Sequence, residues 1–528
     1  MPTCQNCNQQ FTIYPEDQAF YTKINVPAPT HCPDCRQQRR LAYRNLNNLY
    51  LRQCDFTGKQ IVSNYSPDKS YKIYDQNIWW SDKWEPLEYG QNFDWSRPFF
   101  DQFFELQLKV PRPALLNKNS VNSEYTNHSE REKNCYMCFN VGMSEDMYYC
   151  TNYILYSKDC VDCYDMQKGE LLYESFSCRE CYNSKFLFYC QKCFDSIFLY
   201  DCRGCHDCFR CWNLRNAEYC IENKKYSEDE YRRQMAKIYP QTYQDWQKKR
   251  QQFLASIEKE AIYKYARIEK SNSCSGSDII NSQSVIDSYY AFESVNCRYC
   301  YDIGEMKECY DTYEPWRGEL QYECHALNQS YQAIACSICY ENNDLTYCEF
   351  CHNSKDLFGC IGLRHKQYCI LNKQYSEVEY KKLLPKIIEQ MNKIGEYGQF
   401  FPMQTSPFAY NETVAQEYYP LTKEAALAKG LRWKDEELGE VDPNLPKCIS
   451  CGRNFKVVPQ EVKFYQKNNL PEPGKCWKCR HRDRLVLRDT RRIWDRNCAK
   501  CGVEIKSIYS PDRPEKVYCE ACYQKEIY

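Results

Sequence analysis

Cysteines in CxxC pairs are the residues of this 528-residue chain whose spacing most directly indicates chemistry. Zn²⁺ in a structural site takes four tetrahedral ligands, and two CxxC pairs supply four thiolates with little loss of chain entropy. Two sets of paired cysteines have 24 residues between the pairs, and a third set has 17. The spacing predicts three structural zinc sites near the two ends of the chain, with the ligands Cys4, Cys7, Cys32 and Cys35; Cys448, Cys451, Cys476 and Cys479; and Cys498, Cys501, Cys519 and Cys522.

The first 80 or so residues and the last 80 are diverged copies of one another. At an offset of 444 and without a gap, the eight cysteines of the first two sets coincide. The third set has no full counterpart, because Cys54 falls on Cys498 while Thr57, Asp75 and Ile78 occupy the other three positions. One ligand cannot hold a zinc ion. We therefore predict that this fourth module is metal-free and keeps the same fold through packing.

The middle of the chain is a second duplication, at an offset of 149. Within each copy cysteines recur in steps of 12, as at Cys178, Cys190 and Cys202. A step of 12 with short aromatic or aliphatic runs predicts short strands that stack in parallel, as in a β-solenoid. The predicted fold class is mainly β with added helices, in which zinc ribbons at both termini flank a duplicated, cysteine-rich, β-solenoid-like repeat region.

The cysteines of the repeat region have several possible roles. They are suited to fill a narrow core as small hydrophobic side chains. Further zinc sites between neighbouring CxxC pairs, disulfides and an iron–sulfur cluster are the alternatives. The second copy argues against an obligatory metal, because its residues Ser330, Asn342 and Ser354 stand where the first copy has cysteine.

A basic stretch follows each of the two long-spacer cysteine sets. Arginine suits phosphate, and neighbouring aromatic residues can stack on bases, so the stretches are candidates for binding nucleic acid, RNA more than DNA. The alternative is that arginine offsets the negative charge of a four-cysteine zinc site within an ordinary helix or strand. The candidate residues are Arg36, Arg39, Arg40, Arg44, Arg480, Arg482, Arg484 and Arg488.

Composition restricts the compartment and the partners. The chain has 38 Cys and 48 Tyr and a formal net charge of −1, so any attraction to nucleic acid must come from local patches. The first residues do not form a secretory signal, and no apolar run approaches the length of a membrane span. We expect a cytoplasmic protein without membrane contact, in which paired cysteines bind metal before they form disulfides.

Capping signals place helices after each repeat. Ser227 with Glu230, and Ser376 with Glu379, have the spacing of a capping box, and Pro240 must break or kink the first helical segment. The predicted order is a zinc ribbon with a metal-free ribbon (1–80), an aromatic connector (81–117), solenoid unit 1 (118–226), a helical segment (227–270), solenoid unit 2 (271–375), a helix (376–397), a linker (398–446) and tandem zinc ribbons (447–528).

The terminal modules resemble a known type of domain. Residues 4–40 and 448–484, with CxxC, a Phe-Tyr pair, a proline-bearing turn and CxxCR, resemble the zinc-ribbon domains of small bacterial proteins. Residues 498–524 are similar to a companion ribbon of such proteins, and the whole layout resembles large cysteine-rich bacterial proteins. The resemblance implies zinc binding and brings no defined activity.

No sequence motif indicates an enzyme. The chain has no HExxH, Walker-type GKS or GKT, GxGxxG or GxSxG, and its seven histidines are scattered. We predict a non-enzymatic zinc-binding scaffold or adaptor that binds RNA, a ribonucleoprotein or a protein partner, with no small-molecule substrate evident. The alternative is a thiol-redox or metal-handling protein that uses the stacked cysteines of the repeat region.

Overall fold

The computed structural model describes residues 1–328, 337–340, 343–435 and 442–528, and the fold is mainly β with helices added. The chain divides into two compact units. Unit 1 comprises Met1–Ala114, Ala266–Lys434 and Thr490–Ile493, and unit 2 comprises Leu115–Tyr265, Asp435–Asp489 and Trp494–Tyr528. Unit 1 therefore combines the N-terminal cysteine modules with the second inner repeat. Unit 2 combines the C-terminal cysteine modules with the first inner repeat. Ser330, Cys336 and Asn342 lie outside the described residues.

Unit 2 consists of a long parallel sheet, helices and the C-terminal modules. Its helices are Glu228–Ile238, Tyr243–Glu260, Pro459–Lys467, Trp477–Leu485 and Glu520–Ile527. Its strands are Asn117–Lys118, Ser129–Glu130, Phe139–Gly142, Glu145–Tyr148, Thr151–Leu155, Lys158–Val161, Tyr164–Gln167, Glu170–Tyr173, Phe176–Arg179, Tyr182–Phe188, Ile197–Tyr200, His206–Trp212, Glu218–Ile221, Lys224–Lys225, Ile262–Lys264, Trp494–Asn497, Glu504–Ser507 and Lys516–Tyr518.

Unit 1 has a matching set of elements. Its helices are Pro15–Lys23, Pro33–Leu41, Gln76–Trp79, Phe99–Lys109, Glu377–Ile394, Val414–Tyr418 and Lys423–Ala428, with short 3₁₀ turns at Pro86–Tyr89, Met403–Thr405 and Tyr410–Glu412. Its strands are Tyr50–Gln53, Gln60–Ser63, Ile73–Tyr74, Arg112–Pro113, Ile268–Glu269, Gly276–Ile280, Ser288–Phe292, Tyr301–Lys307, Trp316–Glu319, His325–Asn328, Ser337–Tyr340, Asn343–Thr346, Lys355–Phe358, Gln367–Ile370 and Lys373–Gln374.

Parallel strands in each unit pair with partners twelve residues further along the chain. Lys185 is opposite Ile197, and Ile197 is opposite Phe209. In the duplicate, Tyr289 is opposite Tyr301, with the same step. We call residues 117–221 the first ladder, and the described residues from 268 to 370 the second ladder.

A period of three lies within each step of twelve. In the first ladder Arg131, Asn134, Met137 and Asn140 all have positive φ, so each step of twelve contains four left-handed residues. This conformation costs free energy for residues other than glycine. The amide of each of these four residues donates a hydrogen bond to the carbonyl thirteen positions earlier, as in Asn134 N–H to Val121 O at 3.0 Å. The chain thus turns at every third residue.

Between residues 126 and 211 of the first ladder, nearly every residue that follows a left-handed position is buried inside the ladder. Cys202, Cys205, Cys208 and Cys211 are consecutive interior residues at this spacing, and all are fully buried. The CxxC pattern of the repeat region therefore follows from the interior period of three. The paired cysteines of the terminal modules have the same spacing for a different reason, because their sulfur atoms converge in groups of four.

Side-chain caps start the helices that follow the ladders. Ser227 Oγ accepts a hydrogen bond from the amide of Glu230, and Ser376 with Glu379 forms a full capping box. The first helical segment is interrupted around Pro240, as its sequence predicts, and resumes with Thr242 as the N-cap.

Residues 398–435 differ from the linker predicted for them. Phe400 and Phe401 are buried in the core of unit 1, where Phe401 stacks on Phe103 with the ring centroids 4.9 Å apart. Phe103 lies in the aromatic segment 81–117, which also packs on the second ladder through Phe99 and Tyr347, at 5.2 Å between centroids. The polar composition of the stretch concealed these few large aromatic side chains.

A buried carboxyl group lies at the start of the first ladder. Glu132 occupies an interior position, and Thr126 Oγ1 donates a hydrogen bond to it. Burial raises the pKa of Glu132 to about 7, against the opposing effect of the Thr126, Ser120 and Ser129 hydroxyls. Since the folded state favours the protonated form, the stability from this group is full below the unfolded pKa and falls as the pH rises towards 7.

The substitution Glu132→Gln tests this pH dependence. Between pH 5.5 and pH 8 the wild-type chain should lose about 2 kcal/mol of stability that the variant retains, because only the wild type must bury an ionised carboxylate. Thermal unfolding of both proteins across this range measures the difference. A difference that stays constant with pH would contradict the buried-acid assignment.

Candidate metal centres

The structure brings together three groups of four cysteines. They are Cys4, Cys7, Cys32 and Cys35; Cys448, Cys451, Cys476 and Cys479; and Cys498, Cys501, Cys519 and Cys522. Within each group all four sulfur atoms lie within 4.8 Å of one another. In the described part of the chain no further group of three or more metal-ligating side chains meets this condition. The prediction of three four-cysteine sites is confirmed.

The sulfur separations fit a tetrahedral zinc site. With Zn–S bonds of about 2.3 Å, the edge of the sulfur tetrahedron is about 3.8 Å. One pair of sulfurs in each group has this separation: Cys7 and Cys32, Cys451 and Cys476, and Cys501 and Cys519 are each 3.8 Å apart. These distances leave room for a metal ion between the sulfurs and are far too long for a disulfide.

The second CxxC pair of each group begins a helix. Cys32, Cys476 and Cys519 are the N-cap residues of Pro33–Leu41, Trp477–Leu485 and Glu520–Ile527. The second cysteine of the pair then lies in the first helical turn. Free amides and the helix dipole favour negative charge at a helix N-terminus. Burial nevertheless raises the pKa of Cys476 to about 12, so ionisation of the whole group depends on a bound metal ion.

The first CxxC pair of each group forms a tight turn. The residue after the pair is left-handed in all three groups, with φ of 60° at Asn8, 73° at Gly452 and 75° at Gly502. Its amide donates to the carbonyl of the first cysteine, as in Gly452 N–H to Cys448 O at 2.8 Å. Glycine and asparagine suit this position because they tolerate positive φ.

Backbone amides promote ionisation of the turn cysteines. Burial opposes the ionisation of Cys448, but the amides of Cys476 and Cys451 outweigh it and lower the pKa to about 6. The amides of Cys501 and Cys519 likewise overcome burial and lower the pKa of Cys498 to about 6. Thiolates are the form of cysteine that binds zinc, so the turn prepares its sulfur for metal.

The fourth module keeps this turn without the ligands. Gly58 has φ of 69°, and its amide donates to Cys54 O at 2.8 Å. The Cys54 sulfur accepts from the amide of Asp75 at 3.2 Å, as the Cys498 sulfur accepts from the amide of Cys519 at 3.3 Å. The hairpin Tyr50–Gln53 with Gln60–Ser63 also matches Trp494–Asn497 with Glu504–Ser507. The module therefore retains the backbone arrangement of a zinc site while three of the four sulfurs are missing.

Seven of the eight candidate arginines are buried, with exposed fractions between 0 and 8%. Arg482 is the exposed one, and its guanidinium donates to the Cys479 sulfur at 3.0 Å. That contact matches the interpretation in which arginine offsets the charge of a four-cysteine site. The burial of the other seven guanidinium groups argues against the nucleic-acid role predicted for them.

The buried arginines of unit 1 join the four-cysteine helix to the second ladder. Arg36 Nε lies 2.9 Å from Asp311 Oδ1, and Arg40 Nη1 lies 2.7 Å from Glu323 Oε2. Burial lowers the pKa of Arg40, but the carboxylates of Glu323 and Asp311 outweigh it and raise the pKa. The pairing therefore keeps the Arg40 guanidinium charged although it is buried.

Unit 2 repeats the contact with equivalent residues. Arg480 Nε lies 3.1 Å from Asp162 Oδ2, and Arg484 Nη1 lies 2.9 Å from Asp162 Oδ1. Arg480 and Arg484 correspond to Arg36 and Arg40 at the offset of 444, and Asp162 corresponds to Asp311 at the offset of 149. The residues on both sides of this docking contact are therefore the same in the two units.

Comparison with known proteins supports the N-terminal module alone. Residues 2–43 match a family described as "Probable treble clef domain". No curated protein and no solved structure matches the chain. Zn²⁺ is the typical ligand of such domains, in agreement with the three four-cysteine groups.

No helix in the described ranges combines the length and the apolar composition needed to cross a membrane.

The metal-free module provides a control for zinc stoichiometry. The wild-type chain should carry three zinc ions, and Cys498→Ser should carry two, because three remaining thiolates leave the site incomplete. The matched substitution Cys54→Ser should leave the count at three. Metal analysis of the purified proteins measures all three values. Four zinc ions in the wild type, or loss of one in Cys54→Ser, would contradict the assignment.

The docking contacts can be broken one unit at a time. Asp311→Ala and Asp162→Ala each leave two buried guanidinium groups without this carboxylate, and each should destabilise its own unit by about 3–5 kcal/mol. Hydrogen exchange should accelerate in Pro33–Leu41 for the first variant and in Trp477–Leu485 for the second. Glu145→Ala removes a partly exposed partner of Lys133 and Lys158 and serves as a control with little expected effect. Equal exchange in all three variants would refute a docking role.

Proposed function

We propose that the chain is a non-enzymatic zinc-binding scaffold that presents its ladder surfaces to a protein partner. The observation that carries the proposal is the duplicated docking of a four-cysteine helix onto a ladder by buried ion pairs. In each unit the metal site stabilises the helix, and the helix fixes the ladder. Zinc then acts on the fold and not on a substrate.

The ligand sets support a structural role for zinc. Each group offers four cysteine sulfurs, and a catalytic zinc site keeps one position open for water or substrate. A site saturated by four thiolates has no such position. Scaffolding by zinc also suits small modules whose cores are too small to fold unaided.

The ladder surface favours a protein over RNA as the partner. Its exposed charges alternate in sign along the ladder, as in Lys133 and Glu145 at 2.9 Å, and Lys307 and Glu319 at 2.8 Å. Nucleic-acid binding needs a patch or stripe of positive charge, which alternating pairs do not supply. Tyr182 and Phe194 are exposed neighbours on the first ladder, and exposed aromatic residues are typical of protein interfaces.

Stacked strands suit this role if the ladders are coils of a β-solenoid, which we include in the proposal. The parallel register of twelve and the turn at every third residue support it. Such coils display side chains in regular columns and form extended binding surfaces. A reducing compartment such as the cytoplasm would keep the thiolates available for zinc.

The thiol-redox alternative has less support. The interior cysteines from Cys135 to Cys220 are at most 3% exposed, so an oxidant or a partner thiol has no access to them in the folded chain. The pKa values of these thiols do not decide the question, because burial raises the pKa of Cys150 and Cys163 whereas hydrogen bonds from Cys178 and Cys193 lower the pKa of Cys181. The lack of access is therefore the argument against a redox role.

Affinity purification from native cells, with and without nuclease, tests the scaffold proposal. A protein partner should remain bound after nuclease treatment, and the native zinc-loaded chain should show no rapidly reacting interior thiols when titrated with a thiol reagent. Loss of every co-purifying component on nuclease treatment would indicate nucleic acid instead. Rapid, reversible oxidation of the native interior thiols would favour the redox alternative.

A further inference from the structure

A cavity of about 500 Å³ lies in unit 2 between the first ladder and the helix that follows it. The ladder contributes Asn183, Lys185, Asp195 and Ile197 to its wall, and the helix Glu228–Ile238 contributes Tyr231, Arg232, Met235 and Ala236. Tyr239, Gln241 and Asn469 complete the lining. The volume lies within the range of about 300–1,000 Å³ that is usual for small-molecule sites.

Lys185 is the unusual residue in this wall. Along the ladder it lies between Tyr173 and Ile197, in a column that continues with Phe209 and Ile221. Its side chain is therefore the charged member of a row of apolar ones. Only 9% of the residue is exposed, and burial lowers the pKa of Lys185 against the opposing effect of Asp195. The stem of Lys185 is therefore buried in the apolar row, while its ammonium nitrogen stays accessible from the cavity that Lys185 lines.

Several other polar groups of the wall are already engaged. Asn183 Nδ2 donates to Asp195 Oδ1 at 2.6 Å, and Arg232 Nη2 lies 2.7 Å from Glu228 Oε1. Tyr239 donates its hydroxyl proton to Asn469 O at 2.9 Å. Within the described part of the chain, the Lys185 ammonium has no hydrogen-bond or ion-pair partner.

We propose that this cavity binds a small molecule with a carboxylate group on an apolar, aromatic-sized body, and that Lys185 is its counter-ion. The ammonium group supplies the charge-assisted hydrogen bonds that a carboxylate accepts. Ile197, Met235 and Ala236 supply the apolar surface, and Tyr231 adds an aromatic face. The inference stands apart from the scaffold role, since it concerns a cavity within one unit.

The inner duplication supplies a natural comparison. At the offset of 149, Ile334 stands in the second repeat where Lys185 stands in the first. The neighbouring helical residues correspond as Tyr231 with Tyr380 and Arg232 with Lys381. An isoleucine therefore suits the sequence pattern of this position, and the lysine distinguishes the first copy from the second.

Titration calorimetry on the zinc-loaded full chain tests the site with two probes of the same shape. Naphthalene-2-carboxylate should bind at least about tenfold more tightly than naphthalene-2-carboxamide, because only the carboxylate offers a charge to Lys185. Lys185→Ile should abolish this preference while it keeps three zinc ions. Lys192→Ile, the same change at an exposed lysine of the same ladder, should retain the preference.

A labelling measurement on the wild-type chain makes the test independent of variant folding. Naphthalene-2-carboxylate should protect Lys185, and not Lys192, from acetylation by acetic anhydride, as read by mass spectrometry. Equal affinity for the two probes, no protection of Lys185, or a preference that survives in a folded Lys185→Ile protein would each overturn the proposal. Inorganic phosphate that competes as well as the carboxylate would overturn the apolar part of the ligand assignment.

Discussion

The buried ion pairs between arginine and aspartate are the interaction on which each unit depends. Arg36 with Asp311, and Arg480 with Asp162, place full charges where water is excluded. A buried charge without its partner costs several kcal/mol of stability. The ion pairs therefore favour the one docked position of the four-cysteine helix in which every charge is paired. The metal site contributes by keeping the arginine-bearing helix formed, since short helices are unstable alone.

Aromatic packing reinforces the same contact in both units. Tyr21 lies against Tyr322 with ring centroids 5.4 Å apart, and the equivalent Tyr465 lies 5.8 Å from Tyr173. The same tyrosines are close enough to Arg36 and Arg480 to act on their charge, and all of these residues are buried, so the ion pairs lie in surroundings where electrostatic attraction is strong. The high tyrosine content of the chain therefore has a structural reason in these contacts, where the large apolar ring does the packing.

The sequence was sufficient for the metal sites and insufficient for the arginines. Four sulfurs in two short-range pairs constrain local geometry so strongly that Cys498, Cys501, Cys519 and Cys522 could be assigned without a structure. The arginines could not be placed, because burial of Arg40 depends on carboxylates 271 and 283 residues away in the sequence. The sequence did contain a signal for this contact. Arg36 recurs as Arg480 in the terminal duplication, and Asp311 recurs as Asp162 in the inner duplication, so the retention of both residues could have linked them.

The period of three in the ladders was also missed. Cysteine, serine and leucine alternate at the interior positions, so only their burial in the structure shows which residues face inward.

Two duplications within one chain separate what the fold requires from what is particular to one copy. The copies agree in the buried arginines, the aspartates that receive them and the left-handed turn residue at Gly58 and Gly502. They differ at Cys501, where the other copy has Thr57, and at Lys185, where the other copy has Ile334. Retained residues preserve a shape that both copies need, and this explains why the turn at Gly58 is present although three of the four cysteines are absent. Differences such as a lysine in an otherwise apolar column are harder to explain by the fold. They are therefore the positions at which the specific role of each copy has to be sought.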